Sequence, residues 1–393
     1  VLQRKGRVGR KFTGEFYPLY TEASFNALDK NQLPDIITYG INDVFLISVA
    51  EQQKQKKLQG QKAEFLVQDM DLIDLPSAQS FQNANTTAMM LGFVSPFTEE
   101  GYGLTPIGQK AAVLSKIPME AIRVLLTGYT LDVAMTDLIT IISTFGQLQN
   151  IWRRSITVPA SGTASPHNLT FNTTALFNAI PSFIRDRIEG SNMETDKKLA
   201  ILRFKLLVAD EFIEFLLIYD MFLDMIQKSN GDMNEITAWC ELQGLNFDGL
   251  MEFTSLREFN MEDILAAEID PFRMDSQRLR NQSADNFLSY VKKIKQCLYE
   301  GLYNHLLIFD ESKMHYTSRD LIVTVPNLNE GFVYKLKQIS PDVKFKYPKY
   351  LVTDWIKLMP PPAKKDQPVP LIYSIETNMI SVMDGFVDID LFE

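Results

Sequence analysis

Cysteine and histidine are scarce, with 2 and 3 among 393 residues. Cys240 and Cys297 cannot build a disulfide framework. With the scattered His167, His305 and His315 they do not give the ligand spacing of a zinc site either. So few thiols suit a reducing, intracellular compartment. Long uncharged apolar runs are also missing. The stretch from Ile117 to Phe145 carries Glu120, Arg123, Asp132 and Asp137, and that from Phe212 to Ile226 carries Glu214, Asp220 and Asp224. Neither supplies the roughly 20 apolar residues of a spanning helix, so both are expected to be helices of a bundle, with no membrane role. The sequence opens Val1-Leu2-Gln3-Arg4, without an initiating Met, signal peptide or transit peptide, and the expectation is a piece of something longer. Positive charge is not in excess. A net charge of −10 argues against indiscriminate binding of nucleic acid over the whole surface, while a local basic channel stays compatible with it. There is no internal repeat and no long low-complexity tract.

What is present is ordinary globular material, 46% hydrophobic and 22% charged, long enough for two to four domains. Residues 14 to 20, Gly-Glu-Phe-Tyr-Pro-Leu-Tyr, predict a short aromatic-rich strand. Leu33 to Ser48 predict a helix, which the polar run from Glu51 to Lys57 continues or extends into solvent. Ala84 to Leu91 predict another helix, and Gly101 to Gly108 a turn entering the next. Two helices, a tight turn and small strands over this length suit a winged-helix module. Helical periodicity follows from Met119 to Gln149, from Lys197 to Lys228, from Asn234 to Leu265 and from Asn286 to Tyr303, interrupted by a Ser/Thr/Pro/Asn-rich loop from Val158 to Thr174. After His305 come short β-type runs, Leu321–Val325, Gly331–Leu336, Val343–Leu351, Leu371–Ile375 and Ile380–Val387, which predict a small barrel or sandwich.

The strongest local signal is Gln3-Arg4-Lys5-Gly6-Arg7-Val8-Gly9-Arg10. Two glycines let this backbone pack closely against a neighbour. Arg7 and Arg10, three apart, point the same way on a helical turn, and paired guanidinium forks suit a phosphate tail. On eight residues alone, a phosphate-gripping motif and a basic tail that merely touches nucleic acid or solvent explain the pattern equally well.

Context extends the pattern. QRKGRVGR followed by FTGEFYPLYTE resembles motif VI of the DEAH/DExH helicases of superfamily 2 and the strand after it. PDIITYGINDVFL, AMMLGFVSPFTEEGYGLTPIGQKAAVLSKIPME, ADEFIEFLLIYDMF, ITAWCELQGLNFDGLMEFTSLRE and IKQCLYEGLYNHLL resemble later segments of that family, in the same order and over nearly the whole chain. The resemblance implies a multidomain α+β chain: the end of the second RecA-like domain in 1–28, a winged helix in 29–118, a helical ratchet bundle in 119–285 and an OB-like β-barrel in 286–393. It implies that Gln3, Arg7 and Arg10 engage the γ-phosphate region of ATP, with Arg7 and Arg10 as arginine fingers. The motor would step along single-stranded RNA or DNA, typically 3′ to 5′, using ATP and Mg²⁺. Lys5 and Val8 stand where cellular members carry small residues, which is closer to the poxvirus-like enzymes and hints at a large DNA virus replicating in host cytoplasm. One departure matters. No G-x-x-x-x-G-K-[ST] loop occurs in this chain, so the P-loop and DExH box would lie upstream and this chain alone is expected to be inert.

Further candidates come from residue type alone. Lys335, Lys337, Lys344, Lys346 and Lys349 interleave with Tyr334, Phe345, Tyr347 and Tyr350. On a strand Lys344 and Lys346 share one face while Phe345 and Tyr347 share the other. Such a patch binds a single strand through phosphates and base stacking, or else turns lysines to solvent and rings to core; both stay open. Arg153 and Arg154, beside Trp152, either line a nucleic-acid channel or cap a helix C-terminus. Lys292, Lys293 and Lys295 are expected to be a solvated face, as are Glu258, Glu262 and Asp263, and Trp239 and Cys240 to be core. The helicase reading allows an activating protein partner. Two rival readings remain: a nucleic-acid-binding module with no motor, and a protein-interaction scaffold.

Overall fold

The computed structural model describes residues 8, 13–17, 21–27, 34–38, 41–60, 73–98, 101–114, 116–145, 173–188, 201, 204, 207–208, 210–312, 315–317, 322–324, 348–354, 356–359, 374–377 and 379–383. Helices dominate its first three quarters. They begin with α1 (Glu22–Asn26), α2 (Asp35–Thr38), α3 (Asn42–Leu58) and α4 (Ala78–Met90). The expected helix over Leu33 to Ser48 is therefore two helices, separated around Ile41, whose φ of −114° lies outside the helical range. The polar run does continue α3, to Leu58. Of the strand expected over 14–20, residues 14–17 form none, since Tyr17 is 75% exposed and no strand pairs with them among the described residues, while 18–20 lie outside the described residues.

Ser77 caps α4 by accepting from the Ser80 amide at 3.1 Å, so the helix starts one and a half turns earlier than its apolar residues suggest. The chain then forms an antiparallel hairpin of β1 (Val94–Thr98) and β2 (Gly101–Leu104), with Val94 opposite Leu104. Gly101 to Leu104 is thus a strand, where a turn was expected. Its hydrogen-bonding partner β1 contains Pro96, which masks the period-two signal. Thr105 then caps α5 (Pro106–Val113), accepting from Gly108 N at 3.0 Å with proline in the first turn.

The bundle follows as α6 (Met119–Thr130), α7 (Met135–Ile142), α8 (Thr173–Ala179), α9 (Ser182–Ile188), α10 (Glu211–Lys228), α11 (Met233–Gln243), α12 (Phe247–Ala266) and α13 (Ala284–Gly301). What read as one helical stretch from Asn234 to Leu265 is α11 and α12, divided at Gly244, whose left-handed φ of 67° ends α11 without a Cβ penalty. Every residue of α7 is buried. The apolar stripe of α13, Phe287, Tyr290, Val291, Ile294, Cys297, Leu298 and Gly301, recurs at helical spacing and packs along α6. One continuous apolar core runs from Ile41 to Leu302 and takes in Val352 and Met379 from the β-rich segment beyond.

The strands of that segment are β3 (Leu306–Asp310), β4 (His315–Thr317), β5 (Ile322–Thr324), β6 (Tyr350–Thr353), β7 (Ile356–Met359), β8 (Ser374–Thr377) and β9 (Ile380–Val382). Five form an antiparallel sheet in the order β5-β4-β3-β6-β9, and β7 pairs with β8 separately. The expected barrel is not closed among the described residues: β5 and β9 end the sheet without meeting each other. The expected Gly331–Leu336 strand, most of Val343–Leu351 and the Val158–Thr174 loop up to residue 172 lie outside the described residues.

Candidate functional site

Gln3, Arg7 and Arg10 lie outside the described residues, as do Arg153, Arg154, Lys344, Lys346 and Tyr347. Of that basic and aromatic set, Lys349 and Tyr350 are described. The backbone places them at the start of β6, where Phe309 N donates to Lys349 O at 2.9 Å and Ile308 stands opposite Tyr350. Phe309 and Lys349 form the hydrogen-bonded pair, so Ile308 and Tyr350 form the closer, non-hydrogen-bonded pair on the opposite side. Lys349 Nζ lies 5.2 Å from the centroid of the Tyr350 ring, within the range of a cation–π contact.

Two tyrosines absent from the expected set join this corner. Tyr299, on the last turn of α13, and Tyr303, just beyond it, have ring centroids 5.5 Å apart at 80°, an edge-to-face pair. They are 37% and 44% exposed, and Ile308, opposite Tyr350, is 41% exposed. Partial desolvation, and then the neighbouring Tyr303, Glu300 and Tyr350, raise the Tyr299 phenol above its ordinary value, so it stays neutral. In the sequence Tyr299 and Tyr303 show only as a pair four apart, and it takes the helix to show that they fall outside the buried stripe of α13. Two of the nearby carboxylates are engaged. Glu300 pairs with Arg123 at 2.7 Å, and Glu120 accepts from Asn304 Nδ2 at 2.8 Å.

A second cluster fastens the sheet to the bundle. Asp210 caps α10 by accepting from Phe212 N and Ile213 N at 2.9 and 3.1 Å, and also accepts from the Ser381 hydroxyl on β9. Glu211 accepts from Ile380 N at 3.1 Å, and Lys295 donates to Val382 O at 2.8 Å. Lys295 is therefore a fastener, not part of a solvated face: α13 turns its stem inward, toward the charge of Asp210. Burial pushes the Asp210 carboxyl up to about 6, against the pull of Lys295 and of its own hydrogen bonds.

A third cluster lies inside the bundle. Asp137 on α7 accepts from Leu279 N at 2.7 Å, from Tyr290 Oη at 3.0 Å and from Arg278 Nε at 3.2 Å. Arg278 also pairs with Asp220 on α10. Along the same helix Thr140 accepts from Arg257 Nε at 2.7 Å and Ser143 from Asn260 Nδ2 at 2.9 Å. Two carboxylates around one guanidinium leave a negative charge that burial resists. Desolvation, and then the charge of Asp137, outweigh Arg278 and push Asp220 up to about 7. This polar stripe fixes the register of α7 against α10, α12 and α13. The thiols are equally inert: burial pushes Cys240 up to about 11 and Cys297 up to about 12.

Of the remaining expectations, Cys240 is buried with Trp239 packed against the core, and Glu258 and Glu262 are exposed, whereas Asp263 is held by Lys116 at 2.6 Å. His305 Nδ1 lies 3.1 Å from Thr353 O, an arrangement that ties the turn after α13 to β6. Among the described residues no group of three or more His, Cys, Asp or Glu could hold a metal ion, and no helix is long and apolar enough to cross a membrane.

Known proteins resemble the chain along its full length. Two relatives named "Putative RNA Helicase B962L", from a pig isolate of African swine fever virus from Kenya and a tick isolate from South Africa, are each 29% identical to it over 396 aligned residues. The alignment covers 100% of this chain and 37% of either relative, so the chain spans little more than a third of their length. No protein-family profile matches it.

Proposed function

We propose that this chain is the C-terminal part of an ATP-dependent helicase of the DEAH/DExH type, one that moves along single-stranded RNA or DNA. The observation that carries this reading is the end-to-end alignment, at 29% identity, with viral proteins named as RNA helicases. The order of the sequence segments supports it independently, beginning with the QRKGRVGR motif. The helices and hairpin from α3 to α5 suit a winged helix, α6 to α12 a ratchet bundle, and the terminal sheet part of an OB-like fold.

In this reading Gln3, Arg7 and Arg10 face the phosphates of ATP, and the two arginines supply positive charge where the transferred group develops negative charge. The residues of this chain do not make an ATP site by themselves, because it contains no glycine-rich P-loop with its lysine. Upstream RecA-like domains of the same polypeptide supply those contacts and the Mg²⁺ ligands.

The experiment is ATP turnover by the full-length protein, with and without single-stranded RNA or DNA, comparing wild type with Arg10→Ala. The expected result is turnover stimulated by a strand and reduced on the order of 10³-fold in the variant. A full-length protein without turnover, or a variant as active as wild type, overturns the motor and leaves a binding module.

A further inference from the structure

We infer that Tyr299, Tyr303 and Tyr350, together with Lys349, form a stacking site for unpaired bases of a single-stranded nucleic acid, at the seam between α13 and the five-stranded sheet. The inference rests on the strand-binding part of the reading above and names a place for it.

Three observations carry it. The first is exposure in the wrong place for core: α13 buries a complete stripe against α6, yet Tyr299 and Tyr303 stand off that stripe and are 37% and 44% exposed. Tyrosine rings held at the end of a helix lose little freedom on binding, because two χ angles define them. The second is ring geometry. In an edge-to-face pair at 5.5 Å and 80°, one ring offers only its edge to the other, so a flat face remains for a base. The third is charge. Lys349 sits beside Tyr350 on the same corner, while the adjacent Glu300 is offset by Arg123 and Glu120 is engaged by Asn304. Rings for bases with a lysine for the neighbouring phosphate is the pairing that single strands require, and it is indifferent to sequence. An exposed aromatic patch also suits a protein partner. The lysine and the offset carboxylates favour a polyanion.

The test measures binding of fluorescein-labelled 12-mers of uridine and thymidine to the full-length protein at low salt, by anisotropy. It compares wild type with Tyr299→Ala, Tyr303→Ala, Tyr303→Phe and Lys349→Ala. Each Tyr→Ala substitution is expected to weaken binding on the order of tenfold, with Tyr303→Phe within about twofold of wild type, because stacking needs the ring and not the hydroxyl. Lys349→Ala is expected to weaken binding less and to lower its salt dependence by about one phosphate contact. Thermal melting at the wild-type temperature establishes that the exposed-residue variants fold. A wild type that binds strands while both alanine variants bind equally well overturns the stacking site alone. So does a Tyr303→Phe variant as weak as Tyr303→Ala, or alanine variants that keep the strand and lose a protein partner. A wild type that binds no strand overturns the site and the helicase reading together.

Discussion

Arg278 Nε meets the carboxylate of Asp137 at 3.2 Å, across 141 residues of sequence, with the aspartate side chain wholly shielded from water. The same carboxylate accepts from Leu279 N and Tyr290 Oη. Removing it leaves a guanidinium, a phenol and an amide short of their acceptor in the buried interior of the bundle. Asp137→Ala is expected to destabilise the protein by about 3–5 kcal/mol. Asp224→Ala removes a pair with Arg280 whose side chains are 35% and 34% exposed, and is expected to cost less than about 1 kcal/mol. Urea unfolding followed by circular dichroism measures both, and equal losses would contradict the burial argument.

Stability is expected to fall as pH rises from about 4 to about 7. Asp210 and Asp220 titrate near 6 and near 7 in the folded protein, against 3.8 for an ordinary aspartate. Between those values the folded state holds protons that the unfolded chain has released. Unfolding therefore releases protons, and raising the pH favours it, by on the order of 1 kcal/mol per pH unit per group. Below pH 4 this contribution is fully present, and above 7 it is gone. Urea midpoints across pH 4 to 8 measure the slope, and Asp220→Asn is expected to flatten its upper end. Midpoints that climb over this range for wild type would refute the assignment.

A Cβ at Gly301 would stand 2.3 Å from Val124 Cγ2 and 2.7 Å from Glu120 O, one of them backbone that cannot step aside. Gly301→Ala is expected to push α13 off α6 and cost about 1–3 kcal/mol, even though alanine is the better helix former. Differential scanning calorimetry decides it: a variant as stable as wild type would mean that the two helices are not in this contact.

Much of the helical half was legible because local chemistry set it. Asn286 to Tyr303 was expected as a helix, and α13 covers nearly that span, because its stripe repeats at 3.6 residues over five turns. The strands β3, β4 and β7 were not anticipated. They are three to five residues long, and their identity depends on partners up to 46 residues away in the register, such as Leu306 opposite Val352. Asp137 was legible only as a charge that spoils a membrane span, since everything that satisfies it arrives from Arg278, Leu279 and Tyr290. The stacking corner was half legible. Lys349 and Tyr350 stood out by residue type, whereas Tyr299 and Tyr303 needed the helix to show which side of it was already used.

The bonds from Ser381 and Ile380 to Asp210 and Glu211 have a consequence for synthesis of the chain. The helix that begins at 211 cannot complete the setting of its first carboxylates until residue 381 has left the ribosome, some 170 residues later. At roughly 5–20 residues per second that is a delay of about ten to thirty seconds. During that interval the nascent bundle exposes two acidic side chains at the helix entry that β9 will later cover.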